Sequence, residues 1–199
     1  MAETTTDQRL VKGARSRASI ARHAADVASV EGLNGVSIGR LAADLGISKS
    51  GIATLFGSKE SLQLAAVETA REVFVGQVIE PTLGVPRGLP RLRALIDRWF
   101  AHITEPVFPG GCFRTATLVE FDSRPGPVHD AIVADRENWL GFLTKEIREA
   151  QAQGDLVAHD ADALAFELDA LLSAVNTARQ LGDETKVHTA RRIVDGLLT

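Results

Sequence analysis

Tyrosine is missing from this chain altogether, and cysteine and methionine occur once each among its 199 residues. A single thiol, Cys112, excludes an internal disulfide and cannot build a cysteine metal cluster, which points to a reducing compartment. No apolar run is long enough to cross a bilayer, and MAETTTDQRL lacks the basic start and apolar stretch of a secretory leader. The expectation is a soluble, cytoplasmic protein. Strand-like alternation, internal repeats and low-complexity tracts are lacking as well, which leaves an all-helical reading.

Recognisable catalytic chemistry is equally scarce. His23, His102, His129, His159 and His188 lie far apart, and no carboxylate spacing completes a metal site. Cys112 and His102 have no orienting acid or oxyanion-hole motif beside them, so a nucleophilic role is unsupported. The segment GVPRGLP lacks the lysine and following hydroxyl of a phosphate-binding loop. These absences predict a non-enzyme with no metal and no cofactor.

What is present is a hydrophobic content of 45%, enough for a sizeable core, and one stretch with dense local signals. Between Ser37 and Phe56 the sequence reads SIGRLAADLGISKSGIATLF. Ser37 can cap a helix that buries Ile38, Leu41, Ala42 and Leu45 at helical spacing, and Gly46 suits the left-handed turn that ends it. Ile47 leads to Ser48, a cap for a second helix with Ile52, Leu55 and Phe56 on its inner face. The small Ala42, one turn before Gly46, lets two steeply crossing helices approach. Leu41, Ala42, Leu45, Gly46, Ile47, Ile52 and Leu55 together form a helix-turn-helix pattern, whose second helix offers its start to a DNA major groove. A helical hairpin that merely packs would explain the apolar positions equally well. It would not explain why Ser48, Lys49, Ser50, Gly51 and Thr54 are small, polar or basic, with no acid among them.

Charge is segregated in the same sense. The net charge is −4, yet residues 1–65 carry eight Lys or Arg against six Asp or Glu, and the remainder carries 14 against 20. Residues 1–13, with Arg9 and Lys12, read as a flexible polar arm that could reach phosphate. A helix from about Arg17 to Glu31, with Ile20, Ala24, Val27 and Ala28 inward and Gly32 as its stop, would complete a three-helix core. After Phe56, Ser58 can cap a helix running to Pro81. A cation in its first turn, Lys59, opposes the helix dipole unless a phosphate sits there too.

The span VSIGRLAADLGISKSGIATLFGSKESLQLAAV, with the helix before it, resembles the DNA-binding domain of TetR-type transcriptional regulators over residues 14–74. The resemblance implies an all-α homodimer with helix-turn-helix heads, and a C-terminal regulatory and dimerisation domain, here residues 75–199, that binds a small-molecule effector. It implies a ligand-responsive repressor of a palindromic operator. Two other readings stay open: an effector-independent DNA-binding activator, and a small-molecule-binding interaction protein whose head no longer reads DNA. Family members often carry a tyrosine that touches phosphate just before the position of Phe56, where this chain has Ala53, Thr54 and Leu55. The candidate DNA-binding set is Arg17, Ser37, Ser48, Lys49, Ser50, Gly51, Thr54, Phe56 and Lys59.

Beyond TLGVPRGLP, apolar spacing predicts helices from Pro90 to just before Pro106, from about Cys112 to Phe121, Val128 to Gln153, Ala161 to Leu181 and Glu184 to Leu198. GGCF followed by EFDSRPGPV is similar to a subgroup of the same family. The last two helices have wide apolar faces suited to a four-helix seam with a second copy. Most aromatics lie in this half, where they serve either a core or an apolar pocket. The candidate pocket set is Trp99, Phe113 and Phe142 for the wall, with His102, Glu120, Asn138 and Asn176 to orient a ligand.

Overall fold

The computed structural model describes residues 2–105, 107–157 and 160–199, with side chains from residue 11 onward. The Arg9 side chain, Pro106 and His159 lie outside the described residues. The fold is all-helical among those described, with no strand.

Helix α1 (Ala2–Glu31) starts much earlier than the polar arm expected from the sequence. Its first turns mix the helix formers Glu3, Gln8, Arg9, Leu10 and Lys12 with the poorer formers Thr4, Thr5, Thr6 and Asp7, and they leave no apolar stripe for a periodicity argument to find. From Ile20 onward the inward face is almost entirely small: Ala21, Ala24, Ala25 and Ala28 are buried, so neighbouring helices pack close to its axis. Gly32 ends the helix at φ 73°, and a single 3-10 turn, Leu33–Gly35, carries Leu33 and then Val36 into the core.

Helix α2 (Ile38–Leu45) and helix α3 (Lys49–Phe56) are joined by the turn the sequence specifies. The Ser37 hydroxyl accepts from the Arg40 amide at 3.2 Å. Gly46 adopts φ 64°, ψ 30°, and the Ile47 and Gly46 amides donate to the carbonyls of Ala42 and Ala43. This is a Schellman closure, which satisfies the last carbonyls of α2 while reversing the chain. Ser48 then accepts from the Gly51 amide at 3.1 Å. Leu41, Ala42, Ile52 and Phe56 are buried, whereas Ile47 is 42% exposed and guides the turn without filling the core.

Helix α4 (Lys59–Phe74) opens at Ser58, whose hydroxyl accepts from the Ser61 amide. Pro81 has no N–H for the carbonyl four residues back and crowds it, and the chain leaves α geometry first, through a π turn at Val75–Ile79 and a 3-10 turn at Glu80–Thr82. Helix α5 (Leu89–Thr104) follows Gly88, which has φ 89° and no capping side chain of its own. The buried carboxylate of Glu146 substitutes, accepting the Gly88 amide at 2.9 Å and facing Arg91 at 3.4 Å. Helices α6 (Phe113–Phe121), α7 (Pro127–Ala152), α8 (Ala161–Gln180) and α9 (Glu184–Leu197) complete the chain, with Asp160 and Asp183 capping the last two.

Two apolar clusters result. The rear one gathers Leu92, Trp99, Trp139, Leu143, Leu168 and Val194 from α5, α7, α8 and α9. The front one joins α1 to α4 and continues into Phe108, Phe113, Val128 and Ile132. The head is therefore not packed on itself alone: α6 and the start of α7 supply part of its floor.

Candidate nucleic-acid interface and effector pocket

The outward face of α3 follows from how the helix is held. Ile52 and Phe56 face the core, which leaves Lys49, Ser50, Gly51, Ala53 and Thr54 exposed. Ser48 and Thr54 are occupied locally, Thr54 donating to the Ser50 carbonyl at 2.8 Å. Lys49 runs back over Gly39 in the first turn of α2. Neighbouring acids are neutralised within the head. Arg40 bonds Asp44 at 2.8 Å and Glu31 at 3.1 Å, and His23 lies 3.1 Å from Asp44. The hydrogen bond from Arg40, followed by that from His23, holds the Asp44 carboxyl below its ordinary range. The same pairing, Asp44 first and then Glu31, raises the Arg40 guanidinium. A polyanion approaching α3 thus meets cations and small polar groups, with the Asp44 and Glu31 carboxylates already paired.

Three expected contacts have structural partners. Arg17 stacks its guanidinium 4.4 Å from the Phe56 ring centroid and donates to the Leu55 carbonyl, which places a cation at the C-terminal end of α3. Lys59 donates to the Asn34 carbonyl at 3.0 Å. Both side chains stay solvent-facing and keep donors to spare. Ser37 is half-buried and spends its hydroxyl on the α2 cap. Phe56 corrects the expectation: at 5% exposed it is a core residue and a platform for Arg17, not a contact surface.

Behind the head, α4, α5, α6 and α7 border a narrow cleft with a free volume of about 20 Å³ that opens to solvent. Val67, Ala70, Phe74, Phe108, Phe113 and Ile132 make its apolar wall. Arg114 bonds Asp135 at 2.7 Å and lies 4.4 Å from the Phe74 ring centroid. Phe74 meets both His102 and Trp139 edge-on, at 5.6 and 5.2 Å between centroids. His102 is 5% exposed, and its Nδ1 has no hydrogen-bond partner. Burial, reinforced by the charge on Arg114, lowers its pKa to about 4, so the imidazole is neutral near pH 7.

Of the expected pocket residues, His102 and Phe113 line this space and the others do not. Trp99 is sealed in the rear cluster, and Phe142 is half-buried against it. Asn138 is exposed on the far face of α7, because Trp139, one residue on, takes the inward position. Asn176 is buried, but its Oδ1 accepts the Cys112 amide at 2.9 Å and anchors the start of α6. Glu120 reaches the head instead. Its two oxygens accept the Leu33 amide at 2.6 Å and the Asn34 amide at 2.7 Å, in the turn between α1 and α2.

Arg71, Phe74, Thr117, Asp135 and Arg114 were not singled out by sequence, although one signal existed for Arg114. A guanidinium in the first turn of α6 opposes the helix dipole, as Lys59 does in α4. Among the described residues no group of three or more His, Cys, Asp or Glu could hold a metal ion, and no helix is long and apolar enough to cross a membrane.

Residues 88–194, more than half of the chain, match the family model described as tetracyclin repressor-like, C-terminal domain. Among solved structures, a TetR transcriptional regulator from Chloroflexus aurantiacus is 25% identical with a TM-score of 0.84, the alignment covering 92% of this chain and 93% of that one. AibR, solved with isovaleryl coenzyme A and operator DNA, is 22% identical with a TM-score of 0.75, covering 92% and 98%. A regulator from Saccharomonospora viridis, solved with choline, is 19% identical with a TM-score of 0.74, covering 92% and 95%. No curated protein sequence matches the chain.

Proposed function

The chain belongs to the tetracyclin repressor-like (TetR) family of transcriptional regulators, and from that premise we propose that it is a ligand-responsive repressor that binds a palindromic operator as a homodimer. The observation that carries the reading is the doubly capped α2–α3 unit, whose exposed side has Lys49, Ser50, Gly51 and Thr54 and whose neighbours Glu31 and Asp44 are paired to Arg40. The start of α3 enters the major groove, with Lys49 on a base or phosphate and Ser50 and Thr54 beside it. Arg17, at the C-terminal end of α3, and Lys59, at the start of α4, reach phosphates with the donors their internal bonds leave over.

Dimer formation is supported by the outer face of α8. Ala163, Phe166, Ala170, Ala174 and Leu181 fall on one exposed stripe, Phe166 being 59% and Leu181 79% exposed, and Ile193 of α9 is exposed as well. Small residues between two large apolar ones suit a close helix pair across a two-fold axis. Similar family structures bind different small molecules, namely isovaleryl coenzyme A and choline. The pocket behind the head is the effector site in this reading.

The route from pocket to head runs along α6. Phe113 and Thr117 face the pocket, and Glu120 on the same helix holds the Leu33–Asn34 turn. The loop before α6 grips α1: Arg22 donates to the Val107 carbonyl and lies over Phe108, while Gly110 donates to Ser29. A ligand that favours one position of α6 shifts the spacing of two heads by its preference between the two states. Selection of random duplexes on the purified protein tests the whole reading. An enriched palindrome with half-sites roughly one helical turn apart, about 34–36 Å, or more is expected; a pool with no enriched palindrome overturns it.

A further inference from the structure

The groups that α3 can present to base edges narrow how it reads sequence. Hydrogen-bonded readout in the major groove uses Arg or Lys on guanine, Asn or Gln on adenine, and Asp or Glu on cytosine. Residues 48–56, SKSGIATLF, contain no Arg, Asn, Gln, Asp or Glu, so Lys49 is the one charged reader on the helix. Two arginines of the head are engaged elsewhere: Arg40 bonds Asp44 and Glu31, and Arg17 stacks on Phe56 and donates to the Leu55 carbonyl. The hydroxyl protons of α3 are also spent on the helix itself. Ser50 donates to the Ser48 hydroxyl oxygen at 3.2 Å, and Thr54 donates to the Ser50 carbonyl at 2.8 Å. Their oxygens can still accept, but neither proton is free for a base.

What remains outward is hydrocarbon. Ile52 and Phe56 are buried, and Thr54, midway between them in sequence, lies on the opposite face of the helix and is exposed. With its hydroxyl turned back onto the Ser50 carbonyl, Thr54 has a methyl group left to offer. Ala53 is exposed beside it with a second methyl, and Gly51 adds no side chain, so a base edge can come close to the backbone. Thymine alone among the four bases shows a methyl group in the major groove. We propose that α3 reads thymine through its C5-methyl group, with the Thr54 methyl as the principal contact and the Ala53 methyl flanking it. Each operator half-site then carries a thymine opposite Thr54. This assignment rests on α3 entering the major groove, and it adds what the helix recognises there.

The test starts from the duplex that the full-length protein enriches by selection. Each thymine of the half-site is replaced in turn by deoxyuridine, which removes the C5-methyl and keeps the base pair, and affinity is measured by gel shift at one fixed salt concentration. At one thymine the replacement is expected to weaken binding roughly fourfold when made in one half-site, the size of one buried methyl, and roughly tenfold or more when made in both. Two variants assign that contact. Thr54→Ser deletes the methyl and keeps the hydroxyl, so it should bind thymine and deoxyuridine alike at that position. Thr54→Val keeps a methyl and deletes the hydroxyl, so the discrimination should persist. Thermal denaturation checks that both variants are folded. An enriched half-site without thymine, or deoxyuridine tolerated at every position, overturns the proposal. So does a discrimination that follows the hydroxyl, kept in Thr54→Ser or lost in Thr54→Val. An enriched palindrome that tolerates deoxyuridine rejects the methyl readout and leaves the regulator standing, whereas a pool with no enriched palindrome removes both.

Discussion

Removing the Glu120 carboxylate is the sharpest perturbation the structure offers, because one side chain holds two consecutive amides of the α1–α2 turn. The Leu33 amide, whose residue is fully buried, donates at 2.6 Å, and the Asn34 amide, nearer solvent, donates at 2.7 Å. A hydrogen bond to a charged group contributes roughly 1.5–3 kcal/mol when it is shielded, and water replaces part of the exposed one. Glu120→Ala should therefore destabilise the fold by about 2–4 kcal/mol. At roughly 2–4 °C per kcal/mol for a chain of this length, the melting temperature falls by about 4–16 °C. Glu120→Gln keeps one acceptor and turns an NH₂ toward the other amide, so about half that loss is expected. Operator affinity should fall further than the loss of folded protein explains, because the freed turn sets where α2 begins relative to α1. Thermal denaturation and a gel shift at a temperature where both proteins are folded provide the two readings. An alanine variant that melts with the parent and binds DNA equally well would refute the idea that this carboxylate links the pocket helix to the head.

Lys49→Ala should weaken operator binding by about 1–3 kcal/mol if Lys49 reads a guanine, with the melting temperature unchanged, as followed by gel shift and thermal denaturation. Phe166→Asp places a charge on the exposed stripe of α8 and removes about 1.5–3 kcal/mol of apolar burial per subunit at a homodimer seam, so sedimentation should show monomer at micromolar concentration. His102 gives a pH dependence of defined sign. Its folded pKa, about 4, lies below the ordinary 6.5, so the unfolded chain takes up the proton first as pH falls. Stability is unaffected above pH 6.5, declines between 6.5 and about 4, and has lost about 3 kcal/mol at the lower end. His102→Gln should flatten that part of a urea-denaturation pH series, and an unchanged slope would show that His102 is not buried as a neutral group.

The helix-turn-helix was readable from sequence because each of its determinants acts within a few residues. Ser37 and Ser48 cap the helices they precede, and the amides of Gly46 and Ile47 close α2 onto carbonyls three and five residues back. Burial of Leu41, Ala42, Ile52 and Phe56 follows from helical spacing, and that same burial excludes Phe56 from touching DNA. Spacing failed at the start of α1, because that stretch of sequence carries no apolar stripe at helical period.

Tertiary structure decided everything that depends on partners far apart in the chain. Glu120 and Asn176 were the right kind of residue to meet a ligand, yet each is spent on backbone amides 87, 86 and 64 positions away. Arg114 and Asp135 come together across two helices to charge a pocket wall that neither announces alone. Local rules specify caps and turns because covalent connection already holds those groups within reach. Which carboxylate finds which amide is settled only when helices pack, and in this protein packing turned one expected ligand contact into the strut between pocket and head.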